Sequence, residues 1–360
     1  MIEQYTITTT PKYNFSHSTI DTPLPLRFLE QSIHSLEQVQ NQTFQLNQQD
    51  ISRIKDPEAY THALELGEQP INLKPRHEET TVAACDTSTI KIGETNTGML
   101  IAVRGASVWR QNRNYRYTRF GPFIFHITDE NKREVYNILE KAYFSNPHEI
   151  DHQSYPNLFQ IPTRIANLLE RWLQTMLSRS LNNGLVLFDG SLTAGIGDIP
   201  TYRMKEMLAC ARQKGNIVLA FSKVTNLRVN GRLITDVPLR HRPPYLLETV
   251  GLRLKPPIVL LGDVYVARLT PGNYAFRLDV DKENPIEEKI GAVERLLGND
   301  IFSQSYPETL RLAHILCTFT ANEVIAMQHF TASAYGLRIV NRPDMHRLLF
   351  GPFGGGEGYS

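Results

Sequence analysis

Between Thr80 and Thr128 three strand-like segments follow one another with no helical pattern between them: TTVAACDTSTIKIG, GMLIAVRGASVW and RFGPFIFHIT. β-Branched and aromatic residues dominate them, and links this short join antiparallel neighbours, so the stretch predicts a meander. The period then changes. DENKREVYNILEKAYF, from Asp129, predicts a helix capped by Thr128. PTRIANLLERWLQTMLSRSL has apolar residues at 165, 168, 169, 172, 173, 176 and 177, one helical stripe closed by Asn183 and Gly184. The strand GLVLFD, the helix YRMKEMLACARQKG and the strand NIVLAFSK follow. A meander succeeded by alternating helices and strands predicts an α/β fold, a mixed sheet with helices packed on it.

The flanking segments read differently. Residues 1–24 are polar and rich in Thr and Pro, and 25–55 carry Leu and Ile at helical intervals among many Gln, so 1–65 is expected to be a leader and helical arm. The main domain is expected over 66–335, with a middle insertion at about 225–300. That insertion holds a hairpin around Asn230-Gly231, the strands VYVARL and YAFRLDVD, and a helix with Asn284 as cap, Pro285 at N1 and Gly298 at its end. Ser305 and Glu308 predict a capping box for the next helix, and another helix starts near Asn322. Residues 336–360 form a basic, Gly-rich tail whose composition builds no core.

No apolar run approaches the roughly 18 to 20 residues of a spanning helix, and MIEQYTITTTPKYNF lacks the basic and apolar regions of a secretion signal. Cys85, Cys210 and Cys317 lie in apolar runs without metal-like spacing and read as free buried thiols. A reducing, cytoplasmic setting without a membrane is expected. The net charge of +1 excludes a uniformly basic coat, so contact with nucleic acid requires a local patch. One exists. Thr95 to Thr128 contains no Asp or Glu, while Arg104, Arg110, Arg113, Arg116 and Arg119 alternate with Trp109, Tyr115, Tyr117 and Phe120. Guanidinium groups grip phosphate and aromatic faces stack on bases, although a solvated Arg face gives the same pattern.

Three carboxylates stand out by position: Asp86 in the first strand, Glu170 at the edge of a helical stripe, and Asp189 at the end of the fourth strand. If strands one and four are neighbours the acids cluster, and such a cluster calls for a hard divalent cation such as Mg²⁺ or Mn²⁺. A pair of such ions hydrolyses phosphodiesters. Each acid also has a plainer reading, Asp86 and Asp189 as turn formers and Glu170 as a solvated helix margin. Lys223 ends its strand where an ammonium meets a phosphate or simply solvent. Tyr306, Leu310 and His314 are spaced as one helical face, on which a histidine is either a core residue or a ligand.

These residues carry a family resemblance. LVLFDGSL, with Glu170 nineteen positions before Asp189, and YPETLRLAH, with Tyr306 and His314 eight apart, resemble motifs of the NurA nucleases, which act with the HerA hexameric ATPase on DNA ends. FSK at 221–223 is similar to the family's lysine segment and ACDTS at 84–88 to its first acidic motif, with Thr87 where the family usually has Gly. The resemblance spans about residues 75–335. It implies an RNase H-like mixed sheet flanked by helices, Mn²⁺-dependent DNA hydrolysis with Mg²⁺ as the alternative ion, and a homodimer around a DNA channel. It further implies 5′–3′ end processing in recombination repair, with a HerA-type ATPase as partner. In that scheme Asp86, Glu170, Asp189 and His314 hold the metal, Lys223 and Tyr306 complete the catalytic set, and Arg104, Arg110, Arg113 and Arg116 bind DNA. Two other classes stay open: a nuclease-like scaffold that binds DNA or an ATPase without cutting, and an actin-like ATPase, for which the last third lacks a second Asp-Gly strand turn.

Overall fold

The computed structural model describes residues 23–37, 39, 43–45, 64–67, 69–143, 157–195, 199–236 and 241–340. The leader before Pro23, all of 46–63 and the tail after Val340 lie outside the described residues. The meander is present as β1 (Val82–Thr95), β2 (Gly98–Gln111) and β3 (Asn114–Thr128), paired antiparallel in order. Asn112 and Arg113 turn β2 into β3 with positive φ of 50° and 64°, the sign that the tightest hairpins require.

After the meander come α2 (Lys132–Tyr143), α3 (Ile161–Ser180), β4 (Leu185–Asp189), α4 (Thr201–Gln213) and β5 (Ile217–Ser222). β4 pairs parallel with both β1 and β5. The insertion is no separate body. Its strands β6 (Tyr245–Val250), β7 (Gly262–Arg268) and β8 (Phe276–Asp281) continue the same sheet, which runs β3-β2-β1-β4-β5-β8-β7-β6. The first five strands, with β2 alone antiparallel to the rest of its neighbours, reproduce the RNase H-like order.

Strand alternation sorts the side chains of β1, β4 and β5 onto two faces. Ala83, Cys85, Val186, Phe188, Val218 and Ala220 pack with α3 and α4. Val82, Ala84, Leu185, Leu187, Leu219 and Phe221 pack with α5 (Ile286–Asn299) and α6 (Glu308–Cys317). Gly105 in β2 permits α3 to lie close, since a Cβ there would stand 2.8 Å from Leu173 Cδ1. At the far edge α1 (Pro23–Glu37) covers β3. Ser32 Oγ donates to the Ile124 carbonyl at 2.5 Å and accepts from its N–H at 3.1 Å, and Ser35 Oγ accepts from the His126 N–H at 3.0 Å. Two serines on one helical face thus pair an edge that would otherwise be open.

Several expected caps differ. Thr128 closes β3, where its N–H donates to Asn131 Oδ1, and α2 starts only at Lys132. α5 begins at Ile286, with Pro285 at the cap and Gly298 inside the last turn. Ser305 does not cap α6: it sits at φ 68° with its hydroxyl 2.7 Å from that of Thr270, and the helix starts at Glu308 after Pro307. The capping box belongs instead to α7 (Ala321–Ala334), formed by Thr320 and Glu323.

Candidate active site

β1 and β4 pair only from Val82↔Leu185 to Ala84↔Leu187, whereas β1 continues beside β2 almost to its end. Asp86 and Asp189 each lie two residues beyond the last shared pair, and both fall on the face covered by α5 and α6. The sheet divides there, beside their carboxylates. Lys223, two beyond Phe221 on the same face of β5, donates to Asp189 Oδ2 at 2.7 Å. Gly190 then turns the chain aside at φ 104°, a conformation open to glycine; a Cβ would meet nothing within 4 Å, so backbone freedom rather than crowding selects it.

α6 delivers His314 to Asp86, with Nδ1 2.7 Å from Oδ2, and the Thr87 N–H donates to Asp86 Oδ1 at 2.7 Å. Tyr306 is not on the helix. It stands in a two-residue strand before it, between Phe221 and Phe276, and its hydroxyl donates to Asp189 Oδ1 at 3.4 Å. Glu170 rises from α3 on the opposite face, where Thr87 Oγ1 ties β1 to the Ala166 carbonyl, and Gln174 Nε2 donates to its Oε1 at 3.0 Å. Burial pushes the Glu170 carboxyl up; Arg171 opposes, and the charges of Asp86 and Asp189 add, leaving it at about 7. Burial likewise raises Asp189 against the pull of Lys223, with Asp86 adding to the rise. Tyr306 is raised by burial and by the two aspartates, so it acts as a neutral donor.

The donor set fits a hard divalent cation. Asp86, Glu170 and Asp189 lie near enough for the charges among them to raise the Glu170 and Asp189 carboxyls, secondary to burial, and a cation would relieve that repulsion; of this set, Asp86 and His314 bring ligand atoms within 4.8 Å of each other. One neighbour was not anticipated. Cys317, one turn after His314, is buried, and its sulfur lies with ligand atoms of Asp86 and His314 inside a group spanning no more than 4.8 Å. The signal was present in the sequence as His-x-x-Cys, an i, i+3 pair on one helix face.

The arginines separate. Arg104 is buried, donates through Nη2 to Glu323 Oε1 at 2.7 Å and through Nη1 to the Thr318 carbonyl at 3.3 Å, and lies over the Phe319 ring. Its place among nucleic-acid ligands is therefore withdrawn. Arg110 donates to the Asn299 carbonyl and covers the Tyr115 ring, whereas Arg113 and Arg116 are exposed on the hairpin. Arg119 stands level with Asp86 through the ladder Asp86↔Ala106↔Arg119 and also reaches Glu323, at 3.2 Å.

No protein-family model matches the chain, and no curated protein matches it. Among solved structures it is similar to the NurA nuclease from Sulfolobus solfataricus, with 16% identity, a TM-score of 0.45, and coverage of 74% of this chain and 88% of that one. It is also similar to endonuclease V from Bacillus subtilis, with 11% identity, a TM-score of 0.33, and coverage of 73% and 88%. No helix among the described residues is long and apolar enough to cross a membrane.

Proposed function

We propose that the chain is a divalent-cation-dependent DNA nuclease. The observation that supports this reading is that Asp86 and Asp189 stand on one face, each two residues past the last β1–β4 pair, with charges that both act on Glu170 of α3. Asp86, Glu170, Asp189 and His314 would hold Mn²⁺ or Mg²⁺. The ion would supply an activated water and stabilise the leaving oxygen of a phosphodiester. The protein's own groups prepare the site. Lys223, now on Asp189, offers an ammonium to the charge that develops on a phosphate. The Tyr306 hydroxyl fixes the other Asp189 oxygen, and His314 on Asp86 is placed to take or give a proton.

The reading extends to 5′–3′ processing of DNA ends in recombination repair, to a homodimer and to a HerA-type ATPase partner, each supported by the motifs LVLFDGSL and YPETLRLAH, and to the cytoplasm, supported by the three scattered cysteines. The test is digestion of end-labelled single- and double-stranded DNA with Mn²⁺, Mg²⁺ or EDTA, comparing wild type with folded Asp189→Ala. Metal-dependent cutting that the variant loses is expected. If the wild type cuts under no metal, with or without an added HerA-type ATPase, the chain is a scaffold instead.

A further inference from the structure

His314 and Cys317 occupy successive turns of α6 and face the same carboxylate, Asp86. One ligand atom from each lies within 4.8 Å of the other two, and the closest pair, His314 Nδ1 and Asp86 Oδ2, is 2.7 Å apart. A four-coordinate cation of zinc size needs donors roughly 3.3 to 3.8 Å from one another, given bonds of about 2.0 to 2.3 Å. Small side-chain rotations therefore close the group around one ion. Access exists through the imidazole, whose side chain is 36% exposed while that of Asp86 is 9% exposed. The chemistry of the set differs from that of the three carboxylates: oxygen donors select Mg²⁺ and Mn²⁺, whereas sulfur with imidazole selects thiophilic cations.

We propose that Asp86, His314 and Cys317 form a site for one thiophilic divalent cation such as Zn²⁺, held through a carboxylate oxygen, an imidazole nitrogen and a thiolate sulfur. Cys317 releases its proton to solvent as the cation–sulfur bond forms, and no oxidant is involved. With three protein donors the fourth position is left to water. This binding goes beyond the nuclease reading and does not depend on it. Asp86 nevertheless belongs to both donor sets, so a soft cation here takes it from the oxygen set.

The experiment is titration of the metal-free full chain with Co²⁺, without DNA, followed by absorption. The expected result is a near-ultraviolet sulfur-to-cobalt charge-transfer band that saturates at stoichiometric metal, is kept by Cys210→Ser and is lost in Cys317→Ala. Absence of the band in the wild type, or its full retention in a folded Cys317→Ala, overturns the proposal. Should circular dichroism show that Cys317→Ala is unfolded, X-ray absorption of the Zn²⁺-loaded wild type decides. One sulfur neighbour at about 2.3 Å supports the site, and oxygen and nitrogen neighbours alone overturn it.

Discussion

Glu170 shows most directly what it costs to assemble the site. Its carboxyl titrates near 7 in the folded chain against 4.5 for the free group, so the native state holds the proton more tightly than the unfolded chain does. Stability tied to this residue is full below about pH 4.5 and declines as the pH rises toward about 7. Glu170→Gln should therefore flatten the pH dependence of urea unfolding across that window. Above it the variant should be more stable than wild type by at most ~3 kcal/mol. Mn²⁺ should narrow the difference. A ligand at a hundred times its Kd stabilises the native state by about 2.7 kcal/mol, and the wild type should gain more of this than the variant. Equal pH slopes for the two proteins would remove Glu170 from the carboxylate cluster.

At the scale of elements, α7 is fastened by Glu323 in its first turn and by Gln328, whose Nε2 donates to the Ile92 carbonyl of β1 at 2.8 Å. Glu323 closes the capping box with Thr320 and receives Arg104 from β2 and Arg119 from β3. Burial alone would push its carboxyl up, but Arg104 and the Thr320 groups hold it down at about 2. The stability it contributes is present above about pH 4.5 and is lost as the pH falls toward 2. Glu323→Gln should destabilise the fold at neutral pH by less than the roughly 3 to 5 kcal/mol of a fully buried pair, since it leaves Arg104 buried without its counter-charge while the Glu323 side chain is 29% exposed. The loss should vanish in acid, which chemical denaturation at both pH values would reveal. The strands of the meander, α3 and β4 were legible in the sequence because their apolar periods are long and uninterrupted. Asp86, Glu170 and Asp189 were legible because they interrupt those periods. What escaped was fixed by backbone geometry or by distant partners. Ser305 adopts positive φ and Pro307 begins the helix late, which removes Tyr306 from the face it shared on paper with His314. Ser32 and Ser35 gain their meaning only from β3, nearly a hundred residues away. Arg104 looked like its neighbouring arginines until Glu323 arrived from another helix.

For the whole molecule, the ladder sets how a nucleic-acid strand would cross the sheet. Arg119 is level with Asp86 and on its face, whereas Arg116 pairs through Trp109 with Ala83 and falls on the face toward α3, and Arg113 stands in the exposed turn that closes the hairpin. Arg113→Ala should weaken DNA binding alike at every sequence and reduce the slope of log K against log salt by about one, as read from fluorescence anisotropy. An unchanged slope would take the hairpin off the path. The division of the sheet beyond Ala84 has a different consequence, one for inheritance. Asp86, Asp189 and Lys223 share a face because each stands an even number of residues past a paired position. Substitutions within β4 leave that parity untouched, but deleting a single residue between Leu185 and Asp189 would send the carboxylate beneath the sheet, toward α3. Descendants of this chain are thus free to vary the letters of β4 and bound to keep their count.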